Sequence, residues 1–241
     1  MQHAIVSDIH GNLDALEAVL EDIGPHQPAS IVCLGDFVGY GASPNECIAR
    51  LRPLIEHAVV GNHDLAAIGR IDLTYFNANA AMAAHWTEAA LTPEHRLYLE
   101  NLPFSVKWRD ALLVHASPAR PEKWHYVLSP AEATKEIEAF TEAVCFIGHS
   151  HYPGAFDRRG DAVAYTRAAD IRMEPGHRYL VNVGAVGQPR DGDPRAAYAL
   201  YDDEARTIRH VRLEYDVARA MKRILDAGLP RFLAERLQWG E

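Results

Sequence analysis

The stretch Ala4-Ile5-Val6-Ser7-Asp8-Ile9-His10-Gly11 runs directly into a helical pattern in which Leu13, Leu16, Val19, Leu20 and Ile23 share one face. A short continuous apolar run that stops at polar residues and turns at once into an amphipathic helix predicts a strand covered on both faces. Open α/β sheets built from such strands bind ligands beyond the strands' carboxyl ends. The same pattern recurs along the chain. Ile31–Leu34 precedes Gly35 and Asp36, His57–Val60 precedes Gly61 and Asn62, and Ala111–Val114 precedes His115. Val144–Ile147 then leads to Gly148 and His149, and Tyr179–Val183 to Gly184.

Helices are predicted after Pro44 and after Ser129, where Ser129 caps, Pro130 suits the first turn and Glu132 completes a capping box. Ala196–Leu200 and the alternating Thr207–Tyr215 predict an antiparallel hairpin around Asp202 and Asp203. Two closing helices, Val217–Ala227 and Arg231–Gln238, either pack on the sheet or join two subunits. With polar clusters running from position 8 beyond position 150 and no Pro/Ser-rich linker, residues 1–241 read as a single domain. Residues 65–110 are helix-rich, with Tyr75, Phe76, Trp86, Tyr98 and Trp108 spread along them. They form either a helical cap beside the site or ordinary helices packed on the sheet.

Composition narrows the class. At 241 residues, 48% apolar and 24% charged, the chain can bury a large core, which excludes disorder. No apolar stretch approaches the roughly 20 residues of a membrane span, so no membrane partner is expected. Gln2 and His3 lead directly into the first strand without the basic start or apolar middle of a signal peptide, so a cytoplasmic address is expected. Cys33, Cys47 and Cys145 are odd in number and without paired spacing, and read as core residues. Basic residues number 24 against 33 acidic ones, giving a net charge of −9 without any basic block, which argues against duplex nucleic acid as a partner.

Asp8 and His10, two apart, point the same way at a strand end, and His149 and His151 repeat that spacing. Taken singly, Asp36, Asn62, His63 and His115 would each pass as turn chemistry. Together, two Asp, one Asn and four His at strand ends supply the oxygen and nitrogen donors of a two-metal site. Their order, Asp-x-His, Gly-Asp, Gly-Asn-His-Asp, a lone His, then Gly-His-x-His, resembles the signature of the calcineurin-like metallophosphoesterase superfamily, and in particular its small bacterial phosphodiesterase-like branch.

That resemblance implies an α/β fold in which two mixed β-sheets form a sandwich flanked by helices. It implies that Asp8, His10 and His151 hold one divalent metal ion, that Asn62, His115 and His149 hold a second, and that Asp36 bridges the two. A bridging hydroxide between metals about 3.5–4 Å apart would then attack phosphorus in line. His63, outside the ligand pattern, is the proposed proton donor to the leaving oxygen, with an ordinary pKa near 6.5. Asp64 either orients His63 or starts the next helix. Carboxylate, amide and imidazole donors without thiolate suit Mn, Fe, Ni, Zn or Co, and manganese is the first choice. The expected substrate is a small phosphoester, most simply a phosphodiester. A phosphomonoester or phosphoprotein is the alternative, and a non-catalytic scaffold, as in a similar retromer subunit, is the rival from another class. The oligomeric state is not indicated.

The chain departs from the phosphoprotein phosphatase pattern Gly-Asp-x-Val-Asp-Arg-Gly. It reads Gly35-Asp36-Phe37-Val38-Gly39-Tyr40-Gly41, with Gly39 where the Asp that supports the catalytic His would stand and Tyr40 where the phosphate-binding Arg would stand. Arg190 is the candidate replacement cation, since its planar fork binds phosphate oxygens in pairs. It could equally pair with Asp191 or Asp193. Tyr40, Trp124 and Tyr126 are candidates to line a leaving-group pocket.

Overall fold

The computed structural model describes residues 1–241, the side chain of Tyr75 excepted. The strands are β1 (Gln2–Val6), β2 (Ser30–Cys33), β3 (Ile55–Ala58), β4 (Ser105–Trp108), β5 (Ala111–Val114) and β6 (Val144–Ile147). They continue with β7 (Gly154–Arg159), β8 (Ala162–Thr166), β9 (Asp170–Arg172), β10 (Arg178–Asn182), β11 (Ala196–Asp202) and β12 (Thr207–Leu213). The helices are α1 (Leu13–His26), α2 (Pro44–Leu51), α3 (Asn62–Ala67), α4 (Ala78–Ala90), α5 (Pro93–Glu100), α6 (Pro130–Ile137), α7 (Val217–Asp226) and α8 (Arg231–Glu235). None is long and apolar enough to cross a membrane.

Two mixed six-stranded sheets result, in the orders β3-β2-β1-β11-β12-β9 and β4-β5-β6-β10-β7-β8. In the first, β1 pairs in parallel with β2 and β2 with β3; in the second, β5 pairs in parallel with β6 and β6 with β10. Period-two alternation decides which face each side chain takes. Ala4 and Val6 pack with Leu16, Val19, Leu20 and Ile23 of α1 and with Cys47, Ile48 and Leu51 of α2. Ile5 and Val32 turn the other way, onto Leu113, Phe146 and Val181 of the opposite sheet. On that sheet's outer face, Val114, Cys145 and Leu180 meet Ala133 and Ile137 of α6. Each fully buried Val, Ile or Leu contributes about 1.5–3 kcal/mol relative to exposure, and a one-residue slip would lose that for a whole strand at once. The three cysteines are buried and free.

Two readings need correcting. The strand expected at His57–Val60 lies at Ile55–Ala58, and the helix-rich stretch 65–110 ends in β4, which pairs with β5 while Trp108 enters the inter-sheet core. The rest of that stretch divides. Leu91 and Leu99 join the α1 and α2 layer, whereas Ala80, Ala83, Phe76 and Trp86 cluster with Tyr40 and the closing helices. Tyr75 belongs to the same stretch, but its side chain is outside the described residues.

Candidate metal centre

The site forms where β1, β2, β3, β5, β6 and β10 end. Beyond β1, the chain stays in register with its neighbour: Asp8 N–H donates to Gly35 O at 3.0 Å, His10 N–H to Asp36 O at 2.9 Å, and Gly11 N–H to Phe37 O at 3.0 Å. These bonds force tight local geometry. Asp8, His10, Asp36, Tyr40, His149 and His151 all adopt positive φ, between 49° and 64°. For non-glycine residues this costs about 1–3 kcal/mol each, and such strain gathers where function requires side chains to converge.

They do converge. Asp8 Oδ1 lies 3.2 Å from His151 Nε2, 3.7 Å from His10 Nε2 and 4.0 Å from His115 Nε2. Asp36 Oδ2 lies 3.3 Å from His115 Nε2 and 3.6 Å from His10 Nε2. Asn62 Oδ1 is 3.2 Å from His115 Nε2, and the Nε2 atoms of His10 and His151 are 3.1 Å apart. Asp8, His10 and His151 form one group able to hold a metal ion, and Asp8, Asp36 and His115 form another. All these residues are buried.

The donor chemistry fits divalent cations. Nδ1 of His10, His115 and His151 faces the carbonyl of Val38 at 3.2 Å, Leu34 at 2.8 Å and Gln188 at 2.5 Å respectively. A proton on each Nδ1 satisfies those carbonyls and turns the Nε2 lone pairs inward, the usual outer support of metal-binding histidines. Lone pairs then face one another across about 3 Å, which a cation between them relieves. His149 Nε2 is buried without a hydrogen-bond partner, a further atom awaiting a ligand.

The electrostatics agree. Burial would raise the Asp8 and Asp36 carboxyls, yet the imidazoles of His151 and His115 respectively outweigh it and hold both below the usual range. Burial pushes His10 well down and His149 down to about 3. Burial opposes charge at His115 too, but the carboxylates of Asp36 and Asp8 push it up to about 9.

A supporting layer holds these groups. The Asp64 carboxylate makes no hydrogen bond to the His63 ring and does more than open α3: it accepts the backbone N–H of Asp36 at 2.8 Å, Gly61 at 3.0 Å and Val38 at 3.3 Å, tying the Asp36 loop to the Asn62 turn. Burial and the Asp36 charge push its pKa up to about 8. Asp36 Oδ1 accepts His63 N–H at 2.8 Å. Asn182, at the end of β10, donates to Gly148 O at 2.5 Å and Ser150 Oγ at 2.9 Å, holding the turn that bears His149 and His151. Asp64 stands in the Gly-Asn-His-Asp block, but nothing local marks the role that either residue takes. A methyl group on Gly148 would overlap Ser7 Oγ and Asp8 Oδ2. Gly148→Ala is therefore expected to lose about 1–3 kcal/mol of stability through overpacking. A wild-type urea midpoint would contradict this close approach.

His63 sits beside the cluster, its ring 5.0 Å from that of His10. Its Nδ1 is buried without a partner, and a Cβ on Gly39 would lie 2.8 Å from that nitrogen. The glycine thus occupies the place from which a carboxylate would orient the imidazole. Burial lowers His63 to about 4, against the pull of Asp36. Rings of Tyr40 and Phe76 lie 4.3 and 5.0 Å from His63, and Tyr126 stacks on His149 at 4.2 Å, with Trp124 5.9 Å from His115.

Arg190 donates to Tyr40 Oη at 3.2 Å and to Gln188 Oε1 at 3.0 Å. It pairs with neither neighbouring acid. Arg167 (2.6 Å) and Arg212 hold Asp191, and Arg195 (2.7 Å) holds Asp193. Its charge therefore stays uncommitted beside the donors.

With this fold and this centre, the chain belongs to the calcineurin-like phosphoesterase superfamily, whose domain model matches residues 1–206. It is a hydrolase acting on phosphoester bonds. A Methanocaldococcus jannaschii protein, the uncharacterized MJ0912, is 39% identical over 241 residues, covering 98% of this chain and 97% of its own. The crystal structure of a metallophosphoesterase from Sphaerobacter thermophilus is 41% identical, covers 100% of this chain and 99% of its own, and superposes with a TM-score of 0.89. The hypothetical protein PH1004 from Pyrococcus horikoshii, 21% identical, shares the fold with a TM-score of 0.81 over 100% of this chain and 98% of its own.

Proposed function

We propose that the protein is a dinuclear, manganese-dependent phosphodiesterase acting on small phosphoesters. The observation that carries this reading is the convergence of inward-facing Nε2 atoms and two buried carboxylates. Asp8, His10 and His151 would hold one cation, Asn62, His115 and His149 the other, and Asp36 would serve both. When bound, the two metals supply a nucleophile from water at neutral pH and positive charge for the phosphoryl oxygens.

The chain's own residues do the rest. Arg190, free of its neighbouring carboxylates, binds a phosphoryl oxygen, with Tyr40 fixing the guanidinium through its hydroxyl. His63 acquires a proton once the negative charge of the phosphate stands beside it and delivers it from Nε2 to the leaving oxygen. Tyr40 and Phe76 form an apolar wall around His63 that suits a second ester group, which a monoester lacks. The acidic chain disfavours duplex nucleic acid as substrate, and three free buried thiols suit a cytoplasmic setting.

The test is a side-by-side assay of bis-p-nitrophenyl phosphate and p-nitrophenyl phosphate on protein reconstituted with Mn, Ni, Zn or Mg. Faster cleavage of the diester, highest with Mn, is expected. Preference for the monoester would make the protein a phosphomonoesterase, and preference for another metal would replace manganese.

A further inference from the structure

The connection from β5 to α6, residues 115–129, holds only the single turn Pro121–Lys123, and ordered loops of this length are usually functional. Helix α6 pins it at both ends. The Glu136 carboxylate accepts Ala119 N–H at 2.9 Å, and that of Glu132 accepts the N–H groups of Leu128 and Ser129, each at 2.9 Å. Val127 is buried in one cluster with Val114 and Ile137. Between these anchors Trp124 keeps a left-handed φ of 55°, a strain that a non-glycine residue bears only where its surroundings fix it.

Held in this way, the loop sets aromatic rings against the metal centre. Tyr126 stacks on His149 at 4.2 Å with 23° between the planes, and Trp124 lies 5.9 Å from His115 and 5.7 Å from Phe104. These rings are not core: Tyr126 is 49% exposed and Phe104 41%. Because His149 covers one face of Tyr126, the other face is open. Trp124 and Tyr126 also line a cavity of about 480 Å³ with His125, Glu132, Lys135 and Glu136, a volume suited to a small ligand. An open ring face on a fixed loop favours stacking, since little order is lost when a planar group settles on it. The charged donors and acceptors of Lys135, Glu132 and Glu136 match the ring nitrogens and carbonyls of a nucleobase, which a hydrocarbon ring lacks.

We infer that Tyr126 is a specificity-determining residue, which with Trp124 forms a stacking platform for a nucleobase carried by the ester group that stays on phosphorus. This rests on the phosphodiesterase reading, with the scissile phosphate at the metals and the leaving group beside His63. The ligand class is therefore a phosphodiester of a single nucleoside.

The test compares thymidine 5′-(p-nitrophenyl phosphate) with the same ester of 1-O-methyl-2-deoxyribose, which share the sugar, scissile bond and leaving group and differ only in the base. In the wild type, kcat/KM should favour the thymidine ester. Tyr126→Ala should lower that preference about tenfold, the scale of one base stacked on one aromatic ring, while Tyr126→Phe keeps most of it. Both esters are compared on the same variant, so any loss of metal through His149 cancels in the ratio. Leu128→Ala, which trims an exposed side chain of the same loop, should retain the wild-type preference, and thermal melting should show each variant folded. No wild-type preference, or a preference unaltered by Tyr126→Ala, overturns the platform. Failure of the phosphodiesterase reading looks different: neither diester is cleaved while p-nitrophenyl phosphate is. Inhibition of that monoester reaction then decides the platform. Thymidine 5′-monophosphate must inhibit the wild type more strongly than 2-deoxyribose 5-phosphate, and Tyr126→Ala must lower that difference about tenfold; equal inhibition of the wild type by the two, or a difference that Tyr126→Ala leaves unaltered, overturns it.

Discussion

Asp36→Asn is expected to reduce phosphoester hydrolysis by about a thousandfold or more, the scale of the several kcal/mol of charge stabilisation that a metal centre supplies. The geometry leaves the substituted amide no good orientation. One oxygen of Asp36 accepts His63 N–H, and the other faces the Nε2 atoms of His115 and His10. An amide oxygen turned toward His63 places an NH2 group among the imidazoles. Turned the other way, it leaves the His63 N–H facing another donor. Either orientation removes a negative charge that helps raise His115 to about 9. Metal content measured after reconstitution should fall together with turnover, while circular dichroism shows the fold retained. A fully loaded, active Asp36→Asn protein would remove Asp36 from the centre.

His63→Ala is expected to keep its metal and lose about 10²–10⁴-fold in turnover on esters with poor leaving groups, the usual worth of a positioned proton donor. The contact with Asp36 is made by the backbone N–H of residue 63 and survives the truncation, so the metal-facing carboxylate keeps its orientation. p-Nitrophenolate leaves with little need of a proton, so the loss on its esters should be much smaller. Equal losses across leaving groups would assign His63 to substrate placement. Unchanged turnover on an alkyl ester would remove it from catalysis.

Strands β1, β2, β5 and β6 were legible because each is a continuous apolar run, the pattern of a strand packed against a helix on one face and a sheet on the other. Strands β8 and β9 carry no such run: they are largely exposed, and their pairing with β7 and β12 depends on neighbours distant in the chain. β4 was read as helix-rich surroundings because its four residues lie between helical sequence and β5. The candidate donors stood out through local grammar, apolar strand followed by Gly, Asp, Asn or His. The supporting roles of Asp64, although it stands in the Gly-Asn-His-Asp block, and of Asn182 did not, since most of their partners belong to other segments, which no spacing advertises.

The chemical identity of the donors, their order and their positions at strand ends were set by the sequence alone, because short-range periodicity and turn chemistry act within a few residues. Which charges remain available was decided by the tertiary structure. Arg190 is free only because Arg167, Arg195 and Arg212 take its neighbouring carboxylates, and Tyr40, which accepts its guanidinium, is packed by Leu233 and Leu237 of the closing segment. Competition among side chains for partners is settled by distance in space, and residues far apart in sequence acquire that distance only when the sheets close on each other.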